Sequence, residues 1–211
     1  MRNAEAFSHL IPPVQYIAIF LFFFKSRFSI DLANSLKLLV PGLSDRSKYP
    51  MSISKSFLQS ATKQIGKHRT MIISTGKESS NDSLGKSLSS LWNCYECIKN
   101  EGLAVLLAEC THGIGSPAIQ RFIEGQMSID RLKKPSKYVS GMENLLYLTE
   151  IQKKFEIGLS SILPDFYLKK LNMTSFSGTK NALEYILKKQ GTRQKVAIVQ
   201  DGARILLKQT N

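Results

Sequence analysis

The sequence is poor in the residues that usually announce chemistry. In 211 residues there are three cysteines, three histidines and one tryptophan. Three cysteines, at 94, 97 and 110, are too few and too unevenly placed for a disulfide framework, which points to a reducing, cytoplasmic setting. The histidines at 9, 68 and 112 are too dispersed to nominate a metal centre, and no metal site is expected. Long apolar runs are missing as well. Val14 to Phe24 is eleven residues, short of the roughly 20 that cross a bilayer. Lys25 and Arg27 follow it directly without a small-residue cleavage pattern, so a buried strand or helix is preferred to a membrane-surface anchor or a signal peptide.

Acidic residues are scarce too. Sixteen Asp and Glu stand against 29 Lys and Arg, a formal charge of +13. Nine basic and three acidic groups fall in residues 1–68, and most lysines sit on predicted helix faces and near helix ends. Spread of this kind reads first as solvated surface. An anionic small ligand is the next reading, and nucleic acid or a membrane surface is the least expected partner, because nucleic-acid readers concentrate charge on one face with interleaved aromatics.

What is present is a βα rhythm beginning at Arg69. Residues 1–68 carry Pro12-Pro13, an aromatic run and a Ser/Lys-rich stretch without a sustained period, and read as an N-terminal extension of uncertain role. Met71 to Thr75 is a short apolar strand closed by Gly76. Leu84, Leu88, Leu91, Trp92 and Tyr95 recur at helical spacing, in a helix expected to end at Glu101-Gly102. Leu103 to Ala108 is a second strand, and Ser116-Pro117 opens another helix with a serine cap and proline at its first position. Met127 to Ser140 reads as an exposed connection, followed by a helix over Met142 to Phe155 and a strand over Ile157 to Ser161. Pro164 starts a further helix, Asn172 to Phe176 a short strand, and Ser177 is placed as the cap of a helix burying Ala182, Leu183, Ile186 and Leu187. Lys195 to Gln200 closes the series.

Such alternation demands parallel pairing and right-handed crossovers. The expected fold is α/β and doubly wound, a mostly parallel sheet with helices on both faces over residues 69–211. Ligands bind such sheets outside the carboxyl ends of the strands. Here those ends read Thr75-Gly76, Cys110 to Ser116, Ser160-Ser161 and Asp201-Gly202.

The strongest local motif is Cys110-Thr111-His112-Gly113-Ile114-Gly115-Ser116. Gly113 and Gly115 let backbone approach a ligand and Ser116 leads into a helix N-terminus, an arrangement suited to an anion; an ordinary tight turn is the alternative. The third glycine of a dinucleotide fingerprint is missing. His112 is an acid, base or ligand candidate against a plain exposed loop histidine. Asp82 and Asp201 are placed to accept ligand hydroxyls, with helix capping the alternative for Asp82. Cys94 and Cys97 lie across a strand from Cys110, about 20 Å by strand rise, so buried structural thiols are preferred to a redox pair or zinc.

Taken together, these motifs resemble the C-terminal domain of the nickel-dependent lactate racemase family, enzymes that use a nickel-pincer nucleotide. The most specific part is Leu106 through Ser116, similar to the family's apolar strand followed by Ala-Glu-Cys and a Gly-x-Gly turn. Ile73 to Gly76, Asp82 to Leu84, Gly158 to Pro164 and Val196 to Gly202 look like other strand ends of that domain. The resemblance implies a domain that closes over a 2-hydroxy acid and the nickel-pincer nucleotide, both held chiefly by a separate N-terminal domain. That domain supplies the family's metal-ligating and catalytic histidines and its cofactor-anchoring lysine, and 68 residues with two histidines are too few to encode it. The family's Gln and catalytic Lys on the helix after the glycine turn correspond to Lys86 and Ser89, with Lys86 left to bind a carboxylate. The expectation is therefore a binding domain incomplete for catalysis, completed by a partner chain and using Thr75, Gly76, Asp82, Lys86, Cys110, His112, Gly113, Gly115, Ser116 and Asp201. The alternative is a non-catalytic interaction protein that binds an anionic partner through its basic surface.

Overall fold

A computed structural model describes residues 61–76, 79–133, 137–191 and 193–210. The chain divides between Ser60 and Ala61, and the unit described below is the second of the two. The apolar run at 14–24 and His9 lie outside the described residues.

Among the described residues, seven strands and six α-helices follow in chain order. They are β1 (Thr62–Ile65), β2 (His68–Ser74), α1 (Leu84–Trp92), β3 (Ile98–Leu107), α2 (Pro117–Ile123), α3 (Ile129–Lys133) and α4 (Met142–Ile151), then β4 (Glu156–Ser160), α5 (Asp165–Lys170), β5 (Thr174–Phe176), α6 (Thr179–Gln190), β6 (Val196–Val199) and β7 (Leu206–Gln209). Five strands form one sheet in the order β5-β4-β3-β2-β6, and every pairing is parallel. β2 through β5 step in one direction across the sheet, and β6 returns to the far side of β2. Right-handed crossovers then place α6 on the face opposite the earlier helices, so the sheet is doubly wound as expected.

Alternation along the central strands sorts the core. Met71 and Ile73 align with Ala104 and Leu106 and those with Ile157 and Leu159, all fully buried. They form the face covered by α1 and its neighbours, whose Leu84, Leu88, Leu145 and Leu148 are equally buried. The opposite face gathers Ile72, Leu103, Val105 and Phe176 beneath Ala182 and Ile186 of α6. Burial of side chains this size stabilises the unit by about 1.5–3 kcal/mol each.

The unit begins earlier than the βα rhythm shows. Residues 61–68, assigned by sequence to the extension, include β1, which pairs in parallel with β7 and joins the two ends of the domain. Three of the four residues in the strand Thr62-Lys63-Gln64-Ile65 are polar, so it gives no apolar signal.

Local differences have physical causes. α1 stops at Trp92, and a 3-10 turn at Tyr95–Cys97 leads straight into β3, which starts at Ile98 instead of Leu103. Extra residues are absorbed between the His68–Ile98 and Thr70–Leu103 pairs, where Glu101 takes φ 58° and Gly102 lies where a Cβ would sit 2.6 Å from the Arg69 carbonyl. The 127–140 connection contains α3, with Leu132 buried. Gly178 stands at the N-cap of α6 in place of Ser177. Only Ala182 and Ile186 of its expected stripe are buried, and Leu183 and Leu187 remain about half exposed. Tyr185 explains this: it packs edge-on against Phe176 and donates to Glu156 Oε1 at 2.6 Å, which sets the helix toward β4 and β5.

The C-terminal segment is fastened by Asn93, a buried residue just past α1. Its Nδ2 donates to the carbonyls of Gly202 (2.9 Å) and Ala203 (3.3 Å), and its own carbonyl accepts from Leu207 N at 2.8 Å. Removing the amide in Asn93→Ala strands two acceptors in a dry site and should destabilise the domain by about 1–3 kcal/mol. A chemical-denaturation midpoint that does not move would disprove this role.

Candidate functional site

The carboxyl ends of four sheet strands are tied into one rim by main-chain bonds that continue past the strands. Thr75 N donates to Leu107 O at 3.2 Å, Ala108 N to Ser160 O at 3.1 Å, and Gly202 N to Ser74 O at 2.8 Å. Ile162 N reaches Glu109 O at 3.2 Å. Parallel pairing thus carries β6, β2, β3 and β4 to the same edge.

The loop after β3 docks on the start of α1. Cys110 N donates to Asn81 O (2.9 Å) and His112 N to Asp82 O (2.7 Å), while Leu84 N and Gly85 N donate to the carbonyls of Gly113 (3.0 Å) and Ile114 (2.9 Å). The first two N–H groups of α1 are therefore capped by a foreign loop, and the Ser83 side chain at the N-cap makes no capping bond. The two glycines of the motif have different duties. Gly115 has φ 60°, and a Cβ there would collide with Ser83, so its smallness is consumed by packing. Gly113 has φ 71° and open space around it, which leaves its face available.

Ser116 caps α2: its Oγ accepts from Ile119 N at 3.4 Å. Ala118 N donates to Ser140 O, Gln120 N to Ser116 O, and Pro117 has no N–H. The start of α2 is saturated by the protein itself, so the anion-binding geometry read from the motif finds no free donors there.

Thr75 is buried, and its hydroxyl donates to Asn81 Oδ1 at 3.0 Å. That same oxygen accepts from Glu109 N at 2.7 Å, so Asn81 clamps the ends of β2 and β3 together. Asp82 pairs with Lys86 at 3.1 Å across one helical turn, and both remain partly exposed. Gly76 and Asp201 face each other where the sheet order reverses: a Cβ on Gly76 would fall 2.7 Å from Asp201 Oδ1. Asp201 Oδ2 also lies 3.6 Å from Arg204 Nε. His112 is exposed.

Cys110 adopts φ 57° with its thiol buried, and burial pushes that thiol up to about 11 although a hydrogen bond with Ser87 opposes the shift. Cys94 is pushed up to about 12 by burial, with neighbouring Cys97 adding to the effect. All three cysteines are free and buried. Among the described residues no group of three or more His, Cys, Asp or Glu is placed to hold a metal ion, and no helix is long and apolar enough to cross a membrane.

No family model and no curated protein matches the sequence. Solved structures do match. The lactate racemase apoprotein from Thermoanaerobacterium thermosaccharolyticum superposes with a TM-score of 0.65 at 17% identity over 76% of this chain. The fold is lactate-racemase-like. A Thermotoga maritima structural-genomics protein gives a TM-score of 0.55 at 11% identity over 76% of this chain. The chain spans only 40% and 42% of the lengths of those two proteins. At these identities the likeness is one of fold, and it gives the lactate-racemase-like unit no residue roles.

Asn81 and Asn93 are the residues that motif reading missed. A buried asparagine between elements leaves no period or motif in a sequence. The strand-end assignments did find the rim that Asn81 fastens.

The thiols give a pH test. Cysteines whose pKa is raised on folding hold full stability below their ordinary value near 9.0, and that stability is lost as pH climbs toward the folded values. The native domain should resist iodoacetamide at pH 8 and lose stability above about pH 9, and a Cys110→Ser, Cys94→Ser variant should flatten that alkaline loss. Rapid native-state alkylation would contradict the burial.

Proposed function

We propose that this chain is the closing half of a lactate-racemase-like binding unit, offering its strand-end rim to a 2-hydroxy acid but unable to interconvert enantiomers alone. The observation that carries this reading is the convergence of Gly76, His112, Gly113 and Asp201 on one edge of a sheet whose fold is shared with a lactate racemase apoprotein, of which this chain covers only 40%. Rim chemistry suits recognition. Gly113 leaves backbone open to a ligand, and Asp201 and His112 supply an acceptor and a titratable ring. Lys86 supplies a positive charge for a carboxylate, at the expense of its pairing with Asp82.

Nickel does not fit the described residues by themselves. No cluster of ligating side chains stands on the rim, the cysteines are buried and protonated, and the position matched to the family's catalytic lysine is Ser89, whose hydroxyl donates to Lys86 O. The metal-bearing nucleotide would therefore be held by a partner chain, with this domain excluding water above it.

Lactate titrated into 15N-labelled protein should shift the amide resonances of Gly76, His112, Gly113 and Asp201. Lys86→Ala should weaken the binding by about 1 kcal/mol, roughly fivefold, as one exposed charge contact does. The chain alone should leave L-lactate unconverted. Shifts confined to the opposite end of the sheet, an unchanged affinity in Lys86→Ala, or turnover without a partner would each overturn part of this reading.

A further inference from the structure

The basic residues that look scattered in sequence are collected by the topology. Because all five strands run the same way, each returning helix runs against them, and the C-terminal ends of α4, α5 and α6 arrive at the amino edge of the sheet. The helix ends and turns there carry Lys153 and Lys154 before β4, Lys169 and Lys170 at the end of α5 before β5, and Arg193 and Lys195 before β6, all exposed. Arg69 at the start of β2 and Lys99 at the start of β3 fill the middle of the row and are exposed as well. With strands spaced about 4.8 Å apart, these residues line an edge on the order of 20 Å long.

Lysines in the last turn of a helix stabilise its dipole, which accounts for Lys169, Lys170, Lys188 and Lys189. It does not account for Arg69, Lys99 or Lys195, which stand at strand starts. Local acids neutralise part of the row: Lys153 pairs with Glu150, and Glu156 is engaged by Lys189, Tyr185 and Thr174. Lys154 and Lys169 have no acidic partner among the described residues. Both line a cavity of about 530 Å3 between the turns before β4 and β5, which Glu101 also borders.

We propose that this amino edge is a nucleic-acid backbone-binding surface, independent of the rim at the other end of the strands. A narrow positive row with a hollow toward its β5 end complements a linear chain of phosphates. The exposed large aromatics among the described residues, Tyr138 and Phe166, belong to segments at the carboxyl end, so the row offers bases nothing to stack on. Contact would be through phosphate and independent of sequence.

Fluorescence anisotropy of the full chain with a mixed-sequence 20-nucleotide single-stranded DNA tests this. Binding should weaken linearly with salt on a log–log scale. The double reversal Lys154→Glu, Lys169→Glu should cost at least tenfold in affinity and lower the slope by about 1.4, from two lost phosphate contacts. Lys180→Glu, at the opposite end of α6, should leave binding unchanged. Equal losses in the two variants, undiminished binding by the double reversal, or capture by phosphatidylserine vesicles without DNA binding would overturn the assignment.

Discussion

The constraint on which this structure depends is the common direction of its five sheet strands. A parallel ladder satisfies the backbone only if each crossover returns the chain to the starting edge, and right-handedness then decides which face each helix covers. One consequence is a core on both faces, with Met71, Ile73 and Leu106 on one side and Ile72, Val105 and Phe176 on the other. The other consequence is polarity: loops and helix N-termini meet at one edge, helix C-termini with their lysines at the other. The two edges accordingly have different chemistry.

At the carboxyl edge, much of what resembles ligand-binding equipment is spent on internal order. Asn81 joins β2 to β3, the Gly113 and Ile114 carbonyls cap α1, and Ser116 with Ser140 saturates α2. What stays available is limited to Gly113, His112, the Asp82–Lys86 pair and the Gly76–Asp201 junction, where the strand order reverses. It is this sparseness that the proposed half-site reading addresses.

The sequence was legible where a single physical rule dominated. Continuous apolar runs such as Met71 to Ile73 and Leu103 to Leu106 are short and closed by turn residues, as doubly buried strands are, and Ser116-Pro117 carries the cap and first-position proline of a helix start. Reading failed where tertiary contacts decided. β1 is too polar to announce itself and exists through its pairing with β7, α1 ends early at the Asn93 junction, and Tyr185 turns α6 so that Leu183 and Leu187 face outward. Charge was legible in amount but not in place, since Lys154 and Lys169 come side by side, and Lys195 onto the same edge, only after the sheet forms. The fastening of the rim by Asn81 left no trace in spacing or composition.

The claim that strand ends from distant parts of the chain share one edge is most directly tested by distances between nitroxide spin labels, since the native cysteines are buried. Labels on His112→Cys and Ile162→Cys should lie closer together than labels on His112→Cys and Lys154→Cys, by on the order of 10 Å or more, because the second pair is separated by the length of β4. Equal distances, or a shorter separation between 112 and 154, would contradict the co-directional sheet and the rim built on it.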